Sequence, residues 1–295
     1  MKGEGPLLPE AIMSFKRSAT LIDGLKETAD RNSIDFVMTN PPFYASEADM
    51  LESAKKKQRP PFSACTGSAM EMITPGGEVA FVSKLVEEST SVESRDRIQW
   101  FTSMLGKLTS VSIVVEQLRE RHCTNYAVTE FVQGSKTRRW AVAWSWQDLR
   151  PSTTVARGIP GFEKKLLPFP ADFEFGLLGI DIDVVGKNVC GILHSLEMEF
   201  QWKAALAKGV GLATGDVWSR KARRKRARDE NEDQEMVSHE ETDESPALAF
   251  KISLRKQTNT KGLNDTMVHL GWLQGRDAIL FESFCGWLKR RLEIA

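Results

Sequence analysis

A chain of 295 residues with 41% hydrophobic and 27% charged residues has room for two modest globular domains and is neither fibrous nor low-complexity. The formal net charge is zero, yet seven of the ten residues from Ser219 to Arg228 are basic, and an acidic stretch follows from Asp229 to Glu244. A balanced total therefore does not exclude a nucleic-acid partner. Charges and glycines interrupt the apolar runs well short of a membrane span, so no transmembrane helix and no membrane partner are expected. The N-terminus lacks a charged-then-apolar secretory pattern. Cys65, Cys123, Cys190 and Cys285 form no CxxC pair, and the histidines show no ligand spacing. These are the marks of free thiols in a reducing compartment, with no metal site.

In chain order, Ile34-Asp35-Phe36-Val37-Met38 is a short apolar run stopped by Asn40-Pro41-Pro42, which predicts a buried strand and a turn. The polar stretch from 46 to 63 has no apolar period and is expected to be a mobile surface loop. Val79, Val82, Leu85 and Val86 share one helical face after Pro75-Gly76-Gly77. A strand over Trp100–Leu105 and a helix through Val111, Val114, Val115 and Leu118 come next. Strands over Tyr126–Gln133 and Arg139–Trp146 follow, with Trp140, Trp144 and Trp146 read as core. Strands alternating with helices predict an α/β sheet with helices on both faces over residues 1–150.

A Pro- and Gly-rich stretch, 151–170, is expected to be a linker to a small α+β domain over 171–295. That domain should carry a helix with Val189, Ile192, Leu193, Leu196 and Phe200 on one face. Strands over 249–254 and 267–273 and a helix over 277–292 complete it. The charged insert at 219–245 cannot bury enough apolar surface to offset its ordering entropy and is expected to be disordered. Its basic half suits a nuclear localisation signal, an RNA arm or both.

Asn40-Pro41-Pro42-Phe43 carries the chemistry. In a doubly wound sheet, ligands bind outside the carboxyl ends of the strands. The Asn40 side-chain oxygen can accept one N–H of an exocyclic amine, and the Pro41 carbonyl can accept the other. Two acceptors draw the nitrogen lone pair out of conjugation and towards a methyl donor. Phe43 offers a face on which an unpaired base stacks, worth ~1–3 kcal/mol in single-stranded binders. The base must be unpaired or flipped to reach it. Read without any resemblance, the tetrapeptide is equally consistent with a plain turn.

The segment Asp35-Phe36-Val37-Met38-Thr39-Asn40-Pro41-Pro42-Phe43-Tyr44 resembles the catalytic motif of the methyltransferase-like protein 16 family. The likeness continues through Cys65-Thr66-Gly67, Pro75-Gly76-Gly77-Glu78, Met104-Leu105-Gly106-Lys107 and Thr129-Glu130-Phe131-Val132-Gln133-Gly134. It ends at Thr137-Arg138-Arg139-Trp140-Ala141-Val142-Ala143-Trp144. The resemblance implies a class I, Rossmann-like methyltransferase that uses S-adenosyl-L-methionine to make N(6)-methyladenosine in structured RNA, typically U6 snRNA. Bacterial relatives of the family modify an adenine of large-subunit ribosomal RNA. The resemblance also implies roles for single residues. Asn40 holds the target amine beside the methyl donor, Pro41 supplies the carbonyl next to Pro42, and Phe43 stacks on the adenine. Lys136 and Arg139 match basic RNA-binding positions, and Lys55, Lys56, Lys57 and Arg59 fall in a loop that closes on RNA. The C-terminal region adds RNA affinity in the family. Phe281 to Arg290 looks like the closing helix of fungal-type members.

One departure from the family stands out. Only 39 residues precede Asn40, and no glycine-rich turn follows a strand among them. The first strands of the sheet, which hold the cofactor's ribose and adenine, are expected to be missing. The chain is therefore expected to be truncated and weak in cofactor binding. The competing expectation is a non-catalytic RNA-binding protein derived from the same family. Expected localisation is the nucleus, the cytoplasm or both.

Overall fold

The computed structural model describes residues 34–55, 72–133, 137–222, 224, 246–258 and 264–294. The chain divides into two compact units. The first holds residues 1–147 and 154–168, and the second holds 148–153 and 169–295.

The first unit is built on a five-stranded mixed sheet in the order β1-β2-β4-β3-β5. The strands are β1 (Ile34–Thr39), β2 (Ile98–Leu105), β3 (Asn125–Gln133), β4 (Thr137–Ser145) and the two-residue β5 (Arg157–Gly158). β1 and β2 are parallel, with Val37 opposite Phe101, while β4 runs antiparallel to both β2 and β3. The helices are α1 (Glu47–Lys55), α2 (Gly77–Glu88), α3 (Val92–Arg97) and α4 (Leu108–Glu120). The inward stripes of α2 (Val82, Leu85, Val86) and α4 (Val111, Val114, Val115, Leu118) join one core with Val37, Phe101, Leu105, Val128, Val142 and Trp144. Trp144 stacks on Phe101 at 5.6 Å, and Trp140 and Trp146 pack against the same core. The indole N–H groups of buried Trp144 and half-buried Trp146 both donate to Ser89 Oγ at 3.0 Å, so neither indole N–H is left unpaired. The alternate residues of β1, Phe36 and Met38, are exposed. Among the described residues, therefore, the core forms on one face of this sheet rather than on both.

Two expectations need correction here. Residues 47–55 form a helix, not a loop. Ser46 Oγ accepts from Asp49 N at 3.2 Å and Asp49 Oδ2 accepts from Ala45 N at 3.2 Å, a reciprocal cap that starts the helix without an apolar stripe. Residues 56–63 lie outside the described residues. The 151–170 stretch is also more than a linker. It carries a helical turn (Thr153–Ala156), β5 and a 3-10 turn (Lys164–Leu166), and it buries Ile159, Phe162 and Leu166 in the first core. Its first residues belong to the second unit, where Arg150 N donates to Leu273 O at 2.8 Å.

The second unit is a five-stranded antiparallel sheet in the order β6-β10-β9-β8-β7. Its strands are β6 (Asp172–Leu177), β7 (Glu199–Lys203), β8 (Lys208–Ala213), β9 (Leu248–Thr258) and β10 (Asn264–Gln274). Helices α5 (Ile182–His194) and α6 (Ala278–Ile294) share a core with it that includes Val189, Leu193, Phe250, Leu270, Trp272, Phe281, Phe284 and Leu288. Phe200 lies on β7 and not on the preceding helix, because α5 stops at Ser195, whose Oγ turns back to Ile192 O at 2.7 Å. Of the 219–245 insert, residues 220–222 and 224 are helical, with Ser219 Oγ accepting from Ala222 N. The other residues expected to be disordered lie outside the described ones. No described helix is long and apolar enough to cross a membrane.

Candidate active site

The parallel pairing of β1 and β2 brings their carboxyl ends to one rim. Asn40-Pro41-Pro42-Phe43 leaves β1 there, and Gly106-Lys107 leaves β2. Asn40 is exposed, Pro41 and Pro42 are buried, and Phe43 is half-buried. The two prolines thus anchor the turn while the amide on one side and the ring on the other stay within reach of a ligand. The Thr39 hydroxyl just before Asn40 is buried without a partner among the described residues.

Two backbone hydrogen bonds fix the turn. Tyr44 N donates to Met72 O and Thr74 N to Tyr44 O, both at 3.0 Å, forming a parallel bridge between Tyr44 and Ile73. Gly76 and Gly77, both left-handed at φ 79° and 65°, then turn the chain into α2. A Cβ on Gly77 would lie 3.6 Å from Phe43 O and 3.5 Å from Ala45 N, so this pair sits directly against the turn. Left-handed backbone favours glycine at both positions.

Glu78, which the sequence shows only as the last residue of the Pro75–Glu78 likeness, proves central. It is 4% exposed, and its carboxyl accepts Gly106 N at 2.6 Å and Lys107 N at 3.2 Å. It thereby ties the start of α2 to the turn after β2. A Cβ on Gly106 would approach both Glu78 Oε2 and Phe43 Cδ1 to 3.1 Å, so the Phe43 ring rests on a glycine floor. A glutamate opening the helical period, directly after two glycines, was the available signal.

Arg139, at the start of β4 on the same rim, places its guanidinium 5.4 Å from the centre of the Phe43 ring and donates to Arg138 O at 3.0 Å. Phe131, its cross-strand partner, is 49% exposed. Arg138 is engaged elsewhere, with Glu130 at 2.9 Å. The structure thus brings together Asn40, Phe43 and Arg139. Lys55 is exposed in the last turn of α1, while Lys56, Lys57, Arg59 and Lys136 lie outside the described residues. Cys123, Cys190 and Cys285 are free thiols. Among the described residues no cluster of His, Cys, Asp and Glu is suited to hold a metal.

Residues 8–148, which contain this whole rim, match a family of proteins described as RNA methyltransferases. The U6 small nuclear RNA (adenine-(43)-N(6))-methyltransferase of Schizosaccharomyces pombe is 34% identical over 272 residues, covering 91% of this chain and 63% of the relative. The human RNA N(6)-adenosine-methyltransferase METTL16 is 37% identical over 139 residues, 46% of this chain and 24% of the relative. The chain therefore spans less than two thirds of the length of either. Among solved structures, the human METTL16 catalytic domain in complex with a MAT2A 3′UTR hairpin shares 35% identity. It covers 43% of this chain and 44% of that one, with a TM-score of 0.38. The S. pombe match covers 91% of this chain and so extends beyond residues 8–148 into the second unit.

Proposed function

We propose that this chain is an S-adenosyl-L-methionine-dependent RNA adenine N(6)-methyltransferase, with structured RNA such as U6 snRNA as substrate and the nucleus as its place of action. The observation that supports it most is the arrangement at the rim, where an exposed Asn40 and a half-buried Phe43 flank a buried Pro-Pro turn at the end of a parallel strand. The names of the S. pombe and human relatives point to the same chemistry.

In this reading, Phe43 takes one face of an unpaired adenine, and Arg139, whose guanidinium lies over the Phe43 ring, meets the RNA backbone. A guanidinium there neutralises phosphate and makes affinity salt-dependent. The Asn40 oxygen and the Pro41 carbonyl accept the two N–H bonds of the target amine. Both are neutral acceptors, so they orient the lone pair without adding a charge to be desolvated. The described residues fit the methyl-bearing end of the donor: Asn40 is open, and beside it the Thr39 hydroxyl lacks a partner among the described residues. The donor supplies an electrophilic methyl group when bound. Catalysis by the chain is positioning and electrostatics rather than covalent chemistry. Lys55, Lys56, Lys57, Arg59 and Lys136 add RNA contacts.

The test is transfer of radiolabelled methyl groups to a hairpin RNA with one unpaired adenine. Asn40→Ala should lower the rate by roughly 100-fold or more, the size seen when a positioned polar group is lost, while RNA binding is retained. Transfer that survives in Asn40→Ala, or no transfer by the wild-type chain, overturns the reading.

A further inference from the structure

We propose that Arg139 is a selectivity gate over the adenine slot. It caps Phe43 in the free protein and leaves the ring when a phosphodiester takes its guanidinium. An adenine carried in a nucleic-acid chain is admitted, and free adenosine is disfavoured. The gate rests on the methyltransferase reading above and adds how the slot chooses its substrate.

The geometry sets up a conflict. The Arg139 guanidinium lies over the Phe43 ring, 5.4 Å from its centre. A base stacked on that ring takes up about 3.4 Å, the step between stacked bases, so a guanidinium on the far face of the base would stand roughly 7 Å from the ring. The space under Arg139 is too thin for a base, and base and cation compete for the same place. The ring cannot yield instead. It rests on Gly106, where a Cβ would come within 3.1 Å of Phe43 Cδ1 and 3.5 Å of Cε1. The Gly106 N–H is in turn held at 2.6 Å by the buried Glu78 carboxyl, and the two prolines before the ring are buried.

The cation is the part that can move. Arg138 and Arg139 are neighbours on β4 and point to opposite faces, since side chains alternate along a strand. Arg138 is locked, with its Nη1 donating to both carboxylate oxygens of Glu130 at 2.9 Å. Arg139 has no carboxylate partner among the described residues. It keeps one bond to Arg138 O at 3.0 Å and its contact with the ring. An exposed cation–π contact is weaker than a charge-assisted pair with phosphate. A phosphate within reach therefore wins the guanidinium, and the bared ring takes the base attached to that phosphate. An uncharged nucleoside has nothing to offer the cation and must displace it at a cost. Arg139 thus discriminates between ligands that carry the same base, a role beyond adding affinity.

The experiment titrates the full chain with adenosine and with the trinucleotide UpApU by ligand-observed NMR, and counts the binding that Phe43→Leu removes. Arg139→Ala should tighten adenosine binding by roughly two- to fivefold, the worth of an exposed cation–π contact. It should weaken UpApU binding at low salt and flatten the log–log salt slope by about 0.7 for the phosphate no longer neutralised. Arg139→Gln, which keeps a long side chain without the charge, should move both ligands in the same directions. The opposite signs carry the test. Adenosine binding that is unchanged or weaker in both variants overturns the gate and leaves Arg139 a plain phosphate contact. So does UpApU binding that matches wild type in both variants. If Phe43→Leu removes no binding of either ligand, the stacking slot itself is overturned and the gate with it, so failure of the gate alone and failure of the methyltransferase reading give different results.

Discussion

In the first unit β1 and β2 run parallel and end on the same rim, whereas every pairing in the second sheet is antiparallel. Parallel strands send successive turns to one edge, so Asn40–Phe43 and Gly106–Lys107 converge, and backbone and short side chains can form a slot for a small group. Antiparallel neighbours end on opposite edges and offer no such convergence. A converging rim suits positioning of one reacting atom.

The most drastic way to break this comparison is to empty each core in turn. Trp144→Ala removes a fully buried ring stacked on Phe101 and strips Ser89 Oγ of a donor. Phe284→Ala removes the ring that meets Phe250 at 4.3 Å and Trp218 at 5.0 Å. Each should cost ~3–5 kcal/mol in urea unfolding. Trp144→Ala should abolish methyl transfer, since its core underlies the rim, while Phe284→Ala, in the other core, should leave most of it. If Phe284→Ala destroyed methyl transfer as completely as Trp144→Ala, the division of labour would be wrong.

A smaller change sharpens the point about convergence. Glu78→Gln keeps one acceptor for Gly106 N or Lys107 N but turns an amide N–H₂ towards the other donor. Leaving one buried N–H unpaired should cost ~1–3 kcal/mol. Because Phe43 rests on Gly106, turnover should also fall, less than in Asn40→Ala, with RNA affinity little changed. A loss of affinity matching the loss of turnover would show that the turn holds RNA rather than the reacting base.

How much of this was legible depended on how side chains met the backbone. β1 to β4 and the helices α2 and α4 carry ordinary apolar periods, and sequence reading placed them within a few residues. β8 did not, because its pattern is inverted. Gly209 and Gly211 face inward, where a Cβ would lie 2.8 Å from the Phe200 and Trp202 rings and 2.4 Å from Phe250, while Val210 and Leu212 face out. The aromatic rings fill the space that the strand's own side chains usually take, so no alternation pointed to the core. α1 was missed for another reason: its start is written in the Ser46–Asp49 cap and not in a hydrophobic stripe. At the rim, Asn40 and Phe43 were legible because the motif is contiguous. Glu78 acts across 28 residues of sequence, and only the fold brings it to Gly106.

The smallest expected effect concerns the join between β3 and the segment after β5. The Tyr126 hydroxyl donates to Leu166 O at 3.0 Å within the first core. Burial pushes the phenol above its ordinary value of 10.0, with Arg119 and Arg157 opposing that shift and Cys123 adding to it. A group that holds its proton more tightly when folded contributes stability that is full below pH ~10 and is lost as pH rises through the folded value. Tyr126→Phe should therefore cost ~0.5–1.5 kcal/mol at neutral pH, the net worth of one hydrogen bond. Above pH ~10 the wild type should lose stability faster than the variant, and the gap between them should close. Urea midpoints for the two proteins at pH 7 and in strong alkali check both signs. A gap that stayed constant across that range would mean the phenol does not ionise on unfolding, and that the 166 segment is held by its apolar contacts alone.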